Sequence, residues 1–324
     1  MGISLAPNAT TIKMSTMSSA SLQDGDSSRS RMECVITFVL TILILFTNAL
    51  ILLILFRSHG LKCVNKYFFC SMTISDLLMG ALVTPFAFVS SIFDRWVFGE
   101  YVCHITAYVM AILLLASVYS MMLISMDHYV AIRKPDRHSA LLSPVRCACW
   151  IMFCWITSLS FCCPPLFGVA RAEYYREGYI CLIDWNLQRA YFITSGIVVT
   201  LPPTVGLMFA NSYIFTKHYQ AKKEVFEKSS SSVADSARPR YYSVNFVIGL
   251  IFFLSWVPWC ILQLDQIVNL RIVSPKELHF YFLWIALGNS LWKFGVYVAM
   301  CSDFRCGLRS MFARTRVQCT CSKC

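Results

Sequence analysis

The chain has 324 residues, 57% of them hydrophobic and only 14% charged, with a mean hydropathy of +0.60. Soluble domains run nearer about 45–50% apolar and about 25% charged, so this composition argues against a soluble enzyme, and 15% aromatic content argues against a disordered chain. A net charge of +11 would suit nucleic acid, but in so apolar a chain it reads as basic loops on the cytosolic side of a membrane protein, and nucleic acid is not expected as a partner.

Residues 1–33 are polar and rich in Ser, Thr and Met, without the basic start and apolar core of a signal peptide. They are expected to form an extracellular tail. Ala6 breaks the myristoylation pattern that Gly2 begins. Asn8-Ala9-Thr10 matches the N-glycosylation acceptor, a weak signal that gains value only outside the cell.

Apolar runs follow near 34–57, 67–93, 103–132, 147–169, 190–216, 243–267 and 278–300. Each can cross a hydrocarbon core of about 30 Å. Backbone within it must satisfy its own hydrogen bonds, so the runs are predicted to be helices. They lack the alternation of barrel strands, and no 20–50-residue repeat is evident. The expected fold is an all-α membrane protein, a seven-helix bundle over 34–300 followed by a cytoplasmic segment over 301–324. With the N-terminus outside, the cytosolic segments hold Arg57, Lys62, Lys66, Arg133, Lys134, Arg137, Arg146, the basic residues from Lys217 to Arg240, and Arg305 to Lys323. That is the larger share of the basic residues, and it sets this orientation. Residues 302–312 alternate apolar and basic side chains as a short amphipathic eighth helix would. Cys319, Cys321 and Cys324 behind it are palmitoylation candidates. As a zinc set they lack a fourth ligand. Most other cysteines, such as Cys154, Cys162, Cys163 and Cys260, fall in apolar runs and act as small hydrophobes.

The motifs come in a set order. Asn48 lies mid-span in the first helix. Ser75-Asp76-Leu77-Leu78 occupies the second, with Pro85 above it. Trp96-Val97-Phe98-Gly99 follows, then Cys103 and Asp127-His128-Tyr129 at the two ends of the third. Trp155 and Pro164-Pro165 mark the fourth, Phe252, Trp256 and Pro258 the sixth, and Asn289-Ser290 and Tyr297 the seventh. In this order and spacing the chain resembles a rhodopsin-like (class A) G-protein-coupled receptor over about residues 34–312, in an orphan-like branch.

The resemblance implies a disulfide between Cys103 and Cys181, tying the second extracellular loop to the third helix; two unpaired thiols are the alternative. It implies a buried polar switch at Asn48, Asp76, Ser117, Asn289 and Ser290, where the family often places sodium. It implies activation and coupling roles for Asp127, His128, Tyr129, Tyr213, Phe252, Trp256, Pro258 and Tyr297. Two departures stand out. Where the family has N-P-x-x-Y, this chain reads Lys293-Phe294-Gly295-Val296-Tyr297. Lys293 is then expected to pair with Asp76 in sodium's place, the alternative being a neutral, unpaired lysine. The seventh helix, lacking proline, is expected to be straighter, with any bend at Gly295. The second departure is His128 where the family has Arg. His cannot form Arg's two-pronged pairs, and Arg238 stands about where the acidic partner should be, so the inactive-state ionic latch is missing. Elevated basal signalling, a non-signalling receptor-like scaffold, and a His that merely fills a polar niche all remain open.

Met110 stands where amine receptors carry an aspartate, and Leu287 where opsins carry the retinal lysine, which disfavours monoamines and retinal. The remaining expected lining is Ala111, Leu114, Trp256, Trp259, Cys260, Gln263 and Leu283. It is largely apolar and suits a lipid, a hydrophobic small molecule or a peptide, or the second loop itself through Ile183, Asp184 and Trp185. Expected partners are a heterotrimeric G protein, arrestin and membrane lipids, with no cofactor. A transporter would show paired repeats and broken helices, and an enzyme would need a catalytic group set that is not evident here.

Overall fold

Apolar side chains in hydrocarbon leave the backbone no water to bond, so each run closes its own helical ladder. The computed structural model describes residues 9–57, 66–162, 171–184, 189–227, 237–268 and 275–312, and every described apolar run in it is helical. The first span belongs to α1 (Ala9–Arg57). This helix begins well before the apolar run, so residues 9–33, expected as a tail, are helical. No proline lies between Pro7 and Pro85 to stop it.

The second span is α2 (Lys66–Leu82) and α3 (Thr84–Phe93), interrupted at Val83, just before Pro85. The third is α4 (Gly99–Arg133), the most buried of the six long spans and the axis of the bundle. It packs on α2, on α6 (Pro144–Cys162) and on α8 (Leu201–Glu227). The short α5 (Pro135–Leu141) caps its far end. Between α6 and α7 (Arg189–Ser195) lies an antiparallel hairpin, β1 (Ala172–Tyr175) with β2 (Ile180–Ile183), in register Tyr175 to Ile180.

The fifth span widens into a π turn at Gly196–Thr200 between α7 and α8. Pro202 and Pro203 have no N–H, so the carbonyls four residues before them, Val198 and Val199, cannot be met in the α-helical pattern. Tyr119 of α4 reaches across and donates its hydroxyl to the Val199 carbonyl at 3.0 Å. The sixth span is α9 (Ala237–Val268), with Pro258 inside it.

The seventh span is α10 (Lys276–Leu287) and α11 (Asn289–Met300), which meet at Gly288. The expected straight helix with a bend at Gly295 is therefore corrected. The break comes at Gly288, where a Cβ would stand 3.0 Å from the Trp284 carbonyl, and Gly295 lies inside unbroken helix. Among the described residues six helices are long and apolar enough to cross a membrane, and α10 with α11 completes the seventh crossing. Then α12 (Ser302–Phe312) turns away. Phe304 tucks against Phe294 and Tyr297, and Arg305 donates to the Val298 and Ala299 carbonyls, capping α11. Large apolar side chains such as Phe56, Leu254 and Trp292 face outward all round the bundle, a surface that only lipid covers well.

Candidate functional site

At one end of the bundle the hairpin is bonded down by Cys103–Cys181, with Cα atoms 5.4 Å apart. Cys103, Ala107 and Tyr108 of α4 form a small apolar cluster with Ala172, Cys181 and Ile183. Trp96, in tilted and edge-on contact with Phe86, Phe98 and Tyr174, braces the hairpin from the α3–α4 side. The turn of the hairpin points inward. The Tyr175 ring meets Trp259 edge-on at 5.6 Å, and its hydroxyl lies 2.5 Å from His279 Nδ1. Gly178 presses so close to α10 that a Cβ there would stand 2.3 Å from Leu283 Cδ2. Tyr179, in the left-handed region at φ 59°, packs on Phe280 and donates to Glu33 Oε2 at 2.7 Å. Arg29 holds Glu33 at 2.8 Å and reaches Glu277 at 2.5 Å. Burial pushes both phenols up, Tyr179 further through its bond to Glu33, so both are neutral near pH 7.

The expected pocket residues lie mainly beneath this turn. Met110, Trp256, Trp259, Leu283 and Leu287 are buried, and Ala111, Leu114 and Gln263 half-buried. Cys260 is a correction: it is exposed on the outside of α9. It follows Trp259 directly, and one residue turns a helix by about 100°, which carries it off the inward face. The turn residues Tyr175, Gly178 and Tyr179, with Glu33 and His279, were not picked out from the sequence. A carboxylate at the mouth of the first span and a Tyr-rich loop were the available signals. Trp185, Asn8, Pro164-Pro165, Cys319, Cys321 and Cys324 lie outside the described residues.

Deeper in, α2, α4 and α11 bring Asp76, Ser117 and Lys293 together. The Lys293 ammonium donates to Asp76 Oδ2, and Ser117 Oγ donates to Oδ1 at 3.4 Å. Lys293 is 2% exposed, with Asn289 and Ser290 buried one turn above it. Asn48 is buried on α1, where its amide donates to the Ile44 carbonyl. A cleft of about 360 Å³ lies elsewhere, lined by Phe56, Lys66, Tyr67 and Trp155 and open on the outer side of the bundle.

At the opposite end, Asp127 is buried and meets His138 Nε2 of α5 at 3.0 Å. His128 is buried beside it. Tyr129 meets Tyr213 edge-on at 4.9 Å. Tyr297 packs edge-on against Phe69 at 5.6 Å, and Phe252 lies 6.2 Å below Trp256. One link was not foreseen. Asn245 Nδ2 of α9 donates to Ser125 Oγ of α4 at 2.9 Å, both side chains buried. It is a neutral tie between the third and sixth spans, about two turns of α9 from Arg238. An isolated Ser and Asn in two apolar runs gave no sequence signal.

A family model described as seven-transmembrane receptor (rhodopsin family) matches residues 47–292. The chain is 29% identical over 310 residues to mouse G-protein coupled receptor 52, covering 90% of this chain and 83% of that protein. It is 28% identical over 291 residues to the human histamine H2 receptor, covering 86% and 79%. It is 26% identical over 274 residues to G-protein coupled receptor 161 of Xenopus tropicalis, of which it spans 53%. Squid rhodopsin superposes with a TM-score of 0.75 at 19% identity, over 88% of this chain and 85% of that one, and shows the same fold. The chain thus belongs to the rhodopsin family of seven-transmembrane receptors, and is a receptor rather than an enzyme.

Proposed function

We propose that this receptor sits in the plasma membrane with its N-terminus outside and activates heterotrimeric G proteins with its own hairpin as resident ligand, giving high signalling without an added agonist. The observation that carries the reading is the seating of the turn: Tyr175 on Trp259, Gly178 on Leu283 and Tyr179 on Phe280. These are contacts a bound ligand would make, and Trp259 lies one turn from Trp256 beside Pro258, where the sixth helix can bend. A hairpin bonded to α4 and pinned through Glu33 pays little entropy on binding, since it is already ordered. Met110 and Leu287 leave an amine without a counter-ion and retinal without its lysine. The oxidised Cys103–Cys181 pair suits the outer face, and the basic residues opposite suit the cytosol, where they meet the G protein, arrestin and anionic lipid.

A second reading, a receptor-shaped scaffold with impaired coupling, is favoured by one observation: His128 is buried at the coupling end where an Arg would reach further. G-protein biosensors run without agonist separate the two. The proposal expects at least one Gα subtype to be activated by the wild type, and less so by Tyr175→Ala at equal surface expression. A silent wild type selects the scaffold. An active wild type indifferent to Tyr175→Ala removes the hairpin as ligand.

A further inference from the structure

We propose that Lys293 is a built-in counter-ion: its ammonium fills a cation site made by Asp76, Ser117, Asn289 and Ser290, so the receptor binds no inorganic cation there and is insensitive to sodium. A carboxylate at mid-membrane depth is costly unless paired. Here the opposite charge is supplied by the chain, from the seventh span to the second. Asp76 also accepts from Ser117 of the third span, so one carboxylate joins three spans.

The surroundings are richer in oxygen than a lone lysine needs. An ammonium has three protons to donate, and Asp76 takes one of them. Asn289 Oδ1 and Ser290 Oγ, on the turn above Lys293, are buried and find no hydrogen-bond partner among the described residues. A carboxylate with hydroxyl and amide oxygens is the donor set of a hard cation. Deleting the ammonium would leave that set intact and one negative charge uncompensated. The lysine therefore replaces the ion and, unlike an ion, cannot leave. It fixes α11 to α2 at every salt concentration.

The test is thermal unfolding of the full-length receptor in detergent, in sodium chloride against equal choline chloride. The wild type is expected to unfold at the same temperature in both. Lys293→Ala is expected to be less stable in choline and to regain stability as sodium rises. The double variant Asp76→Asn/Lys293→Met is expected to be sodium-insensitive and more stable than Asp76→Asn alone, which leaves the ammonium stranded. Specific stabilisation of the wild type by sodium would overturn the proposal, whether or not the variants fold. So would a Lys293→Ala protein as indifferent to sodium as the wild type, or a double variant no more stable than Asp76→Asn.

Discussion

Gly178→Ala perturbs the seated hairpin with a single methyl group. The new Cβ would stand 2.3 Å from Leu283 Cδ2 and 3.1 Å from Tyr175 Cδ1. Leu283 is 0% exposed, so its methyl has little free space to move into. Overpacking of this kind costs about 1–3 kcal/mol. The cost falls only on the seated state, because a lifted turn has no Leu283 against it. The ratio of lifted to seated hairpin should then rise by about 5- to 150-fold, and agonist-free signalling should fall with it. The assay is a G-protein biosensor read at matched surface expression. Leu283→Ala supplies the control: it removes the clashing atom, so Gly178→Ala should cost much less on that background, a coupling read as a double-mutant cycle. Unchanged basal signalling in Gly178→Ala, or an equal fall on both backgrounds, would refute the reasoning.

Tyr119→Phe leaves the Val199 carbonyl without the hydroxyl that meets it and should lower stability by about 1–3 kcal/mol, read as a lower unfolding temperature in detergent; no change would mean that the π turn needs no outside donor. Asn245→Leu removes the buried tie to Ser125, and if that tie restrains the sixth span, basal signalling rises at equal expression; a fall would assign the tie to the active state. Cys103→Ala opens the crosslink between residues 78 apart, worth about 4.5 kcal/mol on chain-entropy grounds, and surface expression should drop sharply, whereas wild-type expression would show the hairpin held by its other contacts.

The bundle was legible because lipid allows little else: a long apolar run must be a helix, so seven runs mean seven spans. The Lys293 and Asp76 juxtaposition was legible for a related reason, since two opposite charges in apolar runs at one depth have few other places to go. The hairpin's seat was not. Tyr179 and Glu33 meet across 146 residues, and no local pattern encodes where a loop turn lands. Cys260 shows the limit of spacing arguments, because an error of one residue rotates a side chain from the pocket to the lipid. Asn245 and Ser125 are ordinary residues until packing brings them within 2.9 Å. The helical stretch 9–33 was hidden by its polarity, which describes solvent preference and says little about backbone form. Gly288 carried no motif of its own, whereas the missing proline falls six residues later, at Phe294.

The most direct measurement is a structure of the receptor bound to its G protein, prepared without any added ligand. The account predicts the hairpin turn seated in that active complex, with Tyr175 on Trp259 and Gly178 against Leu283. A hairpin lifted clear of Leu283, or a separate molecule lying where the turn should be, would contradict it.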